Sequence, residues 1–279
     1  MSASSLRVVW EAGAGAVVTK SLGLKSRRGH PNPTLVNIGC GYINSMGLPN
    51  PGAQEYAEEL RTAKQGGDIV VIASAYGALP QELAEIARIV EEAGADAVEL
   101  NLSCPNVEGV GMEVGQDPNL VRSIVRSVKR AVRIPVLAKL TPNISDIKVV
   151  AKAAEEAGAD GLVAINTLRA IAIDLETGRP ILASKMGGLS GPAIKPVALR
   201  CVYEVYGAVK IPVIGCGGVA TGRDVYDHVL AGADLVQVGS TYAQEGPACF
   251  SRIHRELVEV MQKKGYATLA SIPRHRYTF

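Results

Sequence analysis

Short apolar runs alternate with amphipathic stretches along almost the whole chain. A short apolar run bounded by Gly, Pro or Asp is typical of a strand that is buried on both faces, as in a parallel sheet. An apolar position at every third or fourth residue predicts a helix with one buried face. The predicted strands are 16–19, 68–74, 97–101, 135–140, 161–165, 212–215 and 235–239. The predicted helices are 2–12, 54–66, 79–93, 118–131, 143–157, 192–206, 222–231 and 249–265.

An Ala-Gly-Ala tripeptide recurs where a predicted helix gives way to a predicted strand. It stands at 93–95, 157–159 and 231–233, each time followed by Asp, and a related Ala-Gly-Ala-Gly stands at 12–15. The Gly caps the C-terminus of the helix, and the next strand follows at once. Strictly alternating strands and helices, repeated in pairs, predict a parallel sheet that closes as a (β/α)8 TIM barrel. The alternative is an open, doubly wound sheet. We expect one domain over residues 1–279.

The first strand of the barrel is missing from the predicted set. Seven strands are predicted rather than eight, and the chain begins with a helix. We expect the absent strand to precede that helix in a longer product. Two segments, 34–52 and 167–191, are too long for simple barrel loops. Both follow a strand, which predicts that they lie on the C-terminal face, where barrels carry their function.

Composition and charge exclude several classes of protein. The 279 residues carry a formal net charge of +2, without a long basic run, so we expect no nucleic-acid binding. No apolar run is long enough to cross a bilayer. The five cysteines contain no Cys-x-x-Cys pair, which argues against a zinc site, an iron–sulfur cluster or a disulfide framework. We expect a cytoplasmic protein without a metal site.

Polar residues and glycines stand at the ends of the predicted strands, which a barrel brings to one mouth. They are Lys20, Asn101, Lys139, Asn166, Thr167, Gly217, Gly218, Gly239 and Ser240. Lysines and amides without paired carboxylates predict a pocket for an anionic, polar heterocycle. The glycines follow the last two strands, where barrels bind phosphate through backbone N–H groups. The alternative is that these glycines only allow tight turns.

Lys139 and Cys104 are the candidate reactive groups. A lysine inside a barrel needs a charge partner. Lys139 is therefore predicted to face the ring of a cofactor, to form a structural ion pair, or to form a Schiff base. Cys104 lies in the stretch 98–106, in which Pro105 ends a buried strand. This polar loop favours a general acid or base over an inert buried thiol. The other cysteines and the histidines, which lie in loops or on exterior helices, are assigned no role.

Several motifs, in order and across nearly the whole chain, resemble one family. They are Thr-Lys-Ser at 19–21, Ile-Asn-Ser-Met-Gly-Leu-Pro-Asn at 43–50, Asn-Leu-Ser-Cys-Pro-Asn at 101–106, Ala-Lys-Leu-Thr-Pro-Asn at 138–143, Gly-Gly-Leu-Ser-Gly at 187–191, Cys-Gly-Gly-Val at 216–219 and Gln-Val-Gly-Ser at 237–240. Together they resemble dihydroorotate dehydrogenase. The resemblance implies an FMN enzyme of pyrimidine biosynthesis that oxidises dihydroorotate to orotate. It implies that Cys104 removes the C5 proton while the C6 hydride passes to the flavin.

The resemblance also implies a set of binding residues. The substrate would contact Lys20, Asn44, Met46, Gly47, Leu48, Asn101, Asn106, Asn166 and Thr167. The FMN would contact Lys20, Ser21, Asn101, Lys139, Ile165, Gly191, Gly217, Gly218, Gly239 and Ser240. A cysteine at 104 resembles the soluble class 1 enzymes. The segment 48–52 is similar to the class 1B subgroup, which passes electrons through a separate FAD and iron–sulfur subunit to NAD.

Other functions stay open at this stage. A fumarate-using homodimer is the alternative subgroup, and a homodimeric core is expected in either case. A dihydropyrimidine dehydrogenase subunit shares the Ser-Cys-Pro loop, and a non-redox phosphate-binding lyase or synthase would use Lys139. In the family, the backbone of the first strand touches the flavin ring. Without that strand, we expect the chain to bind FMN weakly or not at all.

Overall fold

The predicted alternation of strands and helices is present in the computed structural model, which describes residues 2–103 and 114–274. In chain order the strands are β1 (Val17–Val18), β2 (Leu35–Asn37), β3 (Tyr42–Asn44), β4 (Val71–Ala75), β5 (Ala97–Asn101), β6 (Val136–Leu140), β7 (Gly161–Ala164), β8 (Leu168–Ala170), β9 (Gly187–Ser190), β10 (Val213–Cys216) and β11 (Leu235–Gln237). The helices are α1 (Ala3–Glu11), α2 (Ala53–Gln65), α3 (Pro80–Glu92), α4 (Pro118–Ala131), α5 (Ile147–Glu156), α6 (Lys195–Ala208), α7 (Gly222–Leu230), α8 (Ser240–Glu245) and α9 (Ala248–Lys264).

The central sheet has the predicted parallel arrangement. Its strand order is β1-β4-β5-β6-β7-β10-β11, and every neighbouring pair is parallel. These are the seven strands predicted from the sequence, with ends that differ by a few residues. The sheet curls into a partial barrel with the helices packed outside, which confirms the TIM-barrel class and excludes a doubly wound sheet. Among the described residues, β1 and β11 are its edges.

Aliphatic side chains build the core, as the scarcity of aromatic residues requires. All four residues of β7 are buried, because the sheet is covered on both faces. On α4, the apolar positions Val121, Ile124, Val125 and Val128 are buried at helical spacing. Burying apolar surface contributes roughly 25 cal/mol per Å². The core therefore supplies the main favourable term of folding.

The Ala-Gly-Ala-Asp repeat joins neighbouring strands as well as ending helices. Gly94, for example, has a φ of 93°, which favours glycine over every other residue. The aspartate that follows accepts a hydrogen bond from the backbone N–H that begins the adjacent strand. The N···O distances are 2.7 Å for Val71 to Asp96, 2.7 Å for Val136 to Asp160 and 2.9 Å for Val213 to Asp234. The repeat therefore links each strand to its neighbour.

The two long segments form a second, antiparallel sheet. Its order is β2-β3-β9-β8, and β3 pairs with β9 so that Ile43 lies opposite Leu189. The segments follow the C-terminal ends of β1 and β7, so this sheet lies on the predicted functional face. The sequence did not predict that the two segments would pair. In the part of the chain that the structure describes, no helix is long and apolar enough to span a bilayer.

Candidate active site

Two adjoining cavities open at the C-terminal ends of the strands. The polar cavity, of about 490 Å³, lies between the central sheet and the antiparallel sheet. The apolar cavity, of about 630 Å³, lies between the edge strands β1 and β11 and is lined by side chains such as Val17, Ile214 and Val236. Lys20, Asn101 and Asn166 border both cavities. A ligand in the polar cavity and a second ligand in the apolar cavity would therefore both contact these three residues.

The predicted substrate residues surround the polar cavity. Those in its wall are Lys20, Asn44, Met46, Gly47, Leu48, Asn101, Asn166 and Thr167. Asn106 and Cys104 lie outside the described residues. Arg27, His30, Asn143 and Arg169 also line the cavity, although sequence reasoning assigned them no role. The wall thus carries cationic groups and amides, as predicted for an anionic, polar heterocycle.

A chain of hydrogen bonds orients the amides. Asn166 Nδ2 donates to Asn101 Oδ1 at 3.0 Å, and Asn101 Nδ2 donates to Ser21 Oγ at 3.1 Å. Ser21 Oγ in turn lies 2.9 Å from Ser74 Oγ. On the other side, Asn166 Oδ1 accepts from the backbone N–H of Thr167 at 2.8 Å. The residues come from four different strand ends, and the curled parallel sheet brings them together.

A buried asparagine holds the loop that borders the polar cavity. Asn50 Nδ2 donates to the carbonyl of Leu48 at 2.9 Å, and its Oδ1 accepts from the N–H groups of Gly23 and Gly52 at 3.1 and 2.9 Å. Gly47 and Leu48 both have positive φ values, 72° and 55°. Such a conformation is costly for Leu and persists only where the surroundings hold it. The loop backbone is therefore held in place.

Lys20 stands between the two cavities without an ion-pair partner among the described residues. Burial lowers the pKa of Lys20 from its usual value. A partly buried ammonium group without a carboxylate is costly unless a ligand supplies the opposite charge or an acceptor. An electron-rich ligand would therefore stabilise Lys20 in this environment.

Lys139 takes part in a buried polar cluster with Glu99 and Gln237. Its Nζ donates to Gln237 Oε1 at 2.9 Å and lies 3.6 Å from Glu99 Oε1. Gln237 Nε2 donates to Glu99 Oε2 at 2.6 Å, and the Glu99 side chain is only 2% exposed. Burial by itself lowers the pKa of Lys139, but Cys216 and Glu99 raise it more, so the net pKa is above the usual value. Lys139 therefore remains an ammonium group at neutral pH.

The predicted phosphate-binding glycines lie in closely packed turns. Gly191, Gly217 and Gly218 have φ values of 101°, 127° and 71°. A Cβ on Gly218 would come within 2.5 Å of the Lys195 Cβ, and one on Gly191 within 2.7 Å of the Gly41 Cα. These contacts explain the glycines by packing, so phosphate binding there stays a prediction.

The last two predicted cofactor turns are linked to each other. Gly239 and Ser240 follow β11, which neighbours β10, and Thr241 Oγ1 donates to the Val219 carbonyl at 2.6 Å. Ile165 is buried beyond β7 and donates its N–H to the Cys216 carbonyl at 2.8 Å. Gly239 and Ser21 line the apolar cavity together with Lys139.

Two residues that were given no role from the sequence lie in places that only the structure shows. Cys216 lines the apolar cavity beside Lys139. His228 lies on α7, one of the exterior helices as predicted, and its side chain is completely buried. Glu99 and Gln237 were missed because a polar residue inside a strand gives no signal of its partner across the barrel. Within the described ranges, no cluster of His, Cys, Asp and Glu could hold a metal ion.

A parallel barrel with a cationic, amide-lined cavity beside a second, apolar cavity defines the class of barrel enzymes that hold a polar substrate against a cofactor. The family model described as dihydroorotate dehydrogenase matches residues 2–261. The chain therefore belongs to the dihydroorotate dehydrogenase family of flavin-dependent oxidoreductases.

Curated relatives agree over almost the whole chain. A protein of Methanosarcina mazei is 48% identical over 271 residues, which cover 97% of this chain and 86% of the relative. One of Pyrococcus abyssi is 47% identical over 272 residues, covering 98% and 90%. One of Methanocaldococcus jannaschii is 44% identical over 264 residues, covering 94% and 86%. Each is named "Dihydroorotate dehydrogenase B (NAD(+)), catalytic subunit".

Proposed function

We propose that this protein oxidises dihydroorotate to orotate with FMN, as the catalytic subunit of an assembly that delivers electrons to NAD. Family membership supports the reaction, and the shared name of the relatives supports the subunit and the acceptor. The observation that carries the proposal is that eight predicted substrate residues from distant parts of the chain line one cavity.

The described residues fit a flavin in the apolar cavity. Aliphatic walls suit the flat ring system, and Lys20 and Lys139 supply positive charge at its border. The turns at Gly191, Gly217, Gly218, Gly239 and Ser240 are proposed to hold the phosphate through backbone N–H groups. Ser21, Asn101 and Ile165 are proposed to contact the flavin as well. When bound, FMN supplies the hydride acceptor for the reaction.

The polar cavity is proposed to hold the pyrimidine ring. Asn44, Asn101, Asn106, Asn166 and Thr167 would pair with its ring amides and carbonyl groups. The backbone of Met46, Gly47 and Leu48 would hold the carboxylate, and Lys20 would contact the ring. Arg27 and Arg169, at the same cavity, add positive charge that attracts an anionic substrate. Cys104 is proposed to remove the C5 proton as the general base.

The assembly of the protein is also part of the proposal. A homodimeric core would bind a separate subunit that carries FAD and an iron–sulfur cluster, in line with the name of the relatives as catalytic subunits. A single domain over residues 1–279 and a cytoplasmic location stay predictions. The non-redox alternative is disfavoured, because Lys139 pairs with Glu99, whereas a Schiff-base lysine must be neutral to attack.

Flavin reduction by dihydroorotate tests the proposed function. The purified chain, supplied with FMN under anaerobic conditions, is expected to bleach the visible flavin band when dihydroorotate is added. Dihydrouracil, which has no carboxylate, should do so at least about tenfold more slowly, since it lacks the charged hydrogen bonds at the loop of residues 46–48. Faster turnover of dihydrouracil would instead indicate a dihydropyrimidine dehydrogenase.

A pair of asparagine variants localises the substrate. Asn166→Ala removes a cavity amide and is expected to raise the KM for dihydroorotate by about tenfold or more. Asn37→Ala, on the exposed strand β2, is the matched control and should leave the KM unchanged. If the chain binds FMN but dihydroorotate does not bleach it, the proposed function is wrong.

A further inference from the structure

A buried histidine contacts the glycine turn that follows β10. We propose that His228 is a positioning residue that holds the Gly217–Gly218 turn ready to bind an oxyanion. Under the proposed function, on which this inference rests, the oxyanion is the phosphate of FMN. His228 lies on α7, eleven residues along the chain from the carbonyl that it contacts.

The contact fixes the protonation of the ring. His228 Nε2 lies 3.1 Å from the carbonyl oxygen of Gly217, and the side chain has no exposed surface. Because a carbonyl oxygen only accepts, Nε2 must carry the proton. Nδ1 is buried and has no hydrogen-bond partner among the described residues. A Cβ on Gly215 would come within 2.5 Å of Nδ1, so the ring packs directly against the backbone of β10.

The same contact sets the direction of a backbone donor. In a planar trans peptide, the carbonyl of Gly217 and the N–H of Gly218 point in opposite directions. Holding the carbonyl against His228 therefore turns the Gly218 N–H away from α7. Within the described ranges, the N–H groups of Gly217 and Gly218 have no assigned acceptor. Two free N–H groups on glycines, unshielded by side chains, suit an oxyanion.

Two further contacts hold the turn from other elements. Thr241 Oγ1 donates to the Val219 carbonyl at 2.6 Å, and Thr241 is buried. The backbone of Lys195 packs on Gly218, while Lys195 Nζ pairs with Asp224 at 2.5 Å and Asp227 at 2.7 Å. The turn is thus fixed by α6, α7 and α8 together. Because the turn is already held in place, little ordering of its backbone is needed when the ligand binds.

The surroundings keep the imidazole neutral. Burial lowers the pKa of His228, its hydrogen bond to Gly217 raises it, and the neighbouring Lys195 lowers it. Asp224 and Asp227 raise it, but the net pKa is below the usual value of 6.5. A neutral ring with the proton on Nε2 therefore persists at neutral pH, and the Gly217 carbonyl keeps its donor.

A comparison of FMN with riboflavin tests this inference. The two ligands share the ring and differ in the phosphate. His228→Phe is expected to raise the Kd for FMN by about tenfold, which corresponds to the loss of one hydrogen bond. The Kd for riboflavin should change by less than about twofold. His228→Gln, which keeps an amide donor, should restore part of the FMN affinity. His254→Phe, on an exposed position of α9, is the matched control.

The outcomes separate this inference from the proposed function. If the unmodified chain binds FMN weakly, the comparison is made with FMN in excess; if it binds none even then, the proposed function fails for this chain. If it binds FMN and His228→Phe weakens both flavins equally, or neither, only the role of His228 fails. If the His228→Phe variant does not fold, a measurement on the wild-type protein still tests the inference. Nitrogen NMR of histidine-labelled protein should show the Nε2-protonated tautomer for His228, and an Nδ1-protonated tautomer would overturn the inference.

A second, independent site lies on the outside of the barrel. We propose that a groove between α3 and α4 binds a small, multiply charged phosphate compound. The cavity, of about 510 Å³, is lined by side chains that include Arg88, Arg122, Arg126, Arg130, Ser123 and Ser127. We refer to these six residues as the arginine groove.

The charge of the arginine groove is largely uncompensated. Helix α4 has four basic residues and no acidic one, although the whole chain has a net charge of only +2. Arg122 pairs with Glu156 at 2.8 Å. Arg88, Arg126 and Arg130 have no carboxylate within 4.0 Å among the described residues. Like charges four residues apart destabilise a helix, so the row at 122, 126 and 130 has a cost that an anion would offset.

The chemistry of the groove favours phosphate. Arginine forks bind phosphate oxygens in a bidentate manner, and the serine hydroxyl groups add neutral donors. Several guanidinium groups in one groove suit more than one phosphate unit. The protein is expected to bind inorganic pyrophosphate more tightly than inorganic phosphate, with an affinity that falls as the salt concentration rises.

Calorimetric titration with pyrophosphate tests the arginine groove. The double variant Arg126→Gln and Arg130→Gln is expected to weaken binding by at least about tenfold. Arg223→Gln removes an exposed arginine on α7 and is the matched control. No binding to the unmodified chain, or equal loss in the control, would refute the site. The flavin experiments are unaffected, because the groove lies on the outer helices.

Discussion

Replacing Cys104 with Ala is expected to lower the rate of flavin reduction by dihydroorotate by about 100- to 10000-fold, the usual range for loss of a general base. Binding of FMN and of the product orotate should be retained, because the amides and lysines of both cavities stay in place. Rapid mixing under anaerobic conditions measures the rate directly. Spectral titration with orotate measures the binding.

A serine variant and a cysteine control sharpen this prediction. Cys104→Ser keeps a group of similar size, but a hydroxyl is a much weaker acid than a thiol. Its rate should therefore be low at neutral pH and rise with increasing pH. Cys40→Ala changes an exposed thiol and should have no effect on the rate. An unchanged rate in Cys104→Ala would show that the base is another group.

Replacing Lys139 with Met is expected to lower the free energy of unfolding by about 3–5 kcal/mol, because it leaves the carboxylate of Glu99 buried without its cation. Glu99 is only 2% exposed and keeps a single hydrogen-bond donor from the cluster, Gln237 Nε2. Urea denaturation of the wild-type and variant proteins measures the difference. The double variant Lys139→Met with Glu99→Gln should recover most of the loss, since neither charge remains.

An exposed pair provides the control for this cluster. Lys148→Met breaks an ion pair with Asp146 in which both side chains are about half exposed, and it should change stability by less than about 1 kcal/mol. An equally small effect of Lys139→Met would contradict a buried, charged pair.

The stability that Lys139 contributes should also depend on pH. The pKa of Lys139 is raised above the usual 10.5. Its contribution is therefore fully present below pH 10.5 and is lost as the pH rises through the folded-state pKa. The stability difference between the wild type and Lys139→Met should shrink in that range.

Much of the central sheet could be predicted because each barrel strand is a local signal. A run such as 161–165 is apolar throughout and sits between a helix cap and a polar loop, so its strand can be recognised without its neighbours. The parallel arrangement followed from the alternation of strands with helices. The cavity residues could be grouped because every parallel strand delivers its C-terminal end to the same face. The resemblance to the family then implied a role for each candidate residue of the two cavities.

The contacts across the barrel could not be predicted. Glu99 and Gln237 lie 138 residues apart in the chain, and nothing near either one indicates the other. His228 has the sequence context of a solvent-facing helix, yet its ring packs against Gly215. The pairing of β3 with β9 joins two segments that the sequence identified only as too long for simple barrel loops.

The amino-acid sequence by itself determined where the barrel strands and most helices lie, which polar residues follow each strand, and to which family the chain belongs. These properties depend on periodicity and on short motifs, which are local. Only the tertiary structure decided which charges pair, which amide faces which, and which side chain anchors each turn. Those properties depend on the distance between residues far apart in the chain, and that distance is set by the packing of the whole barrel.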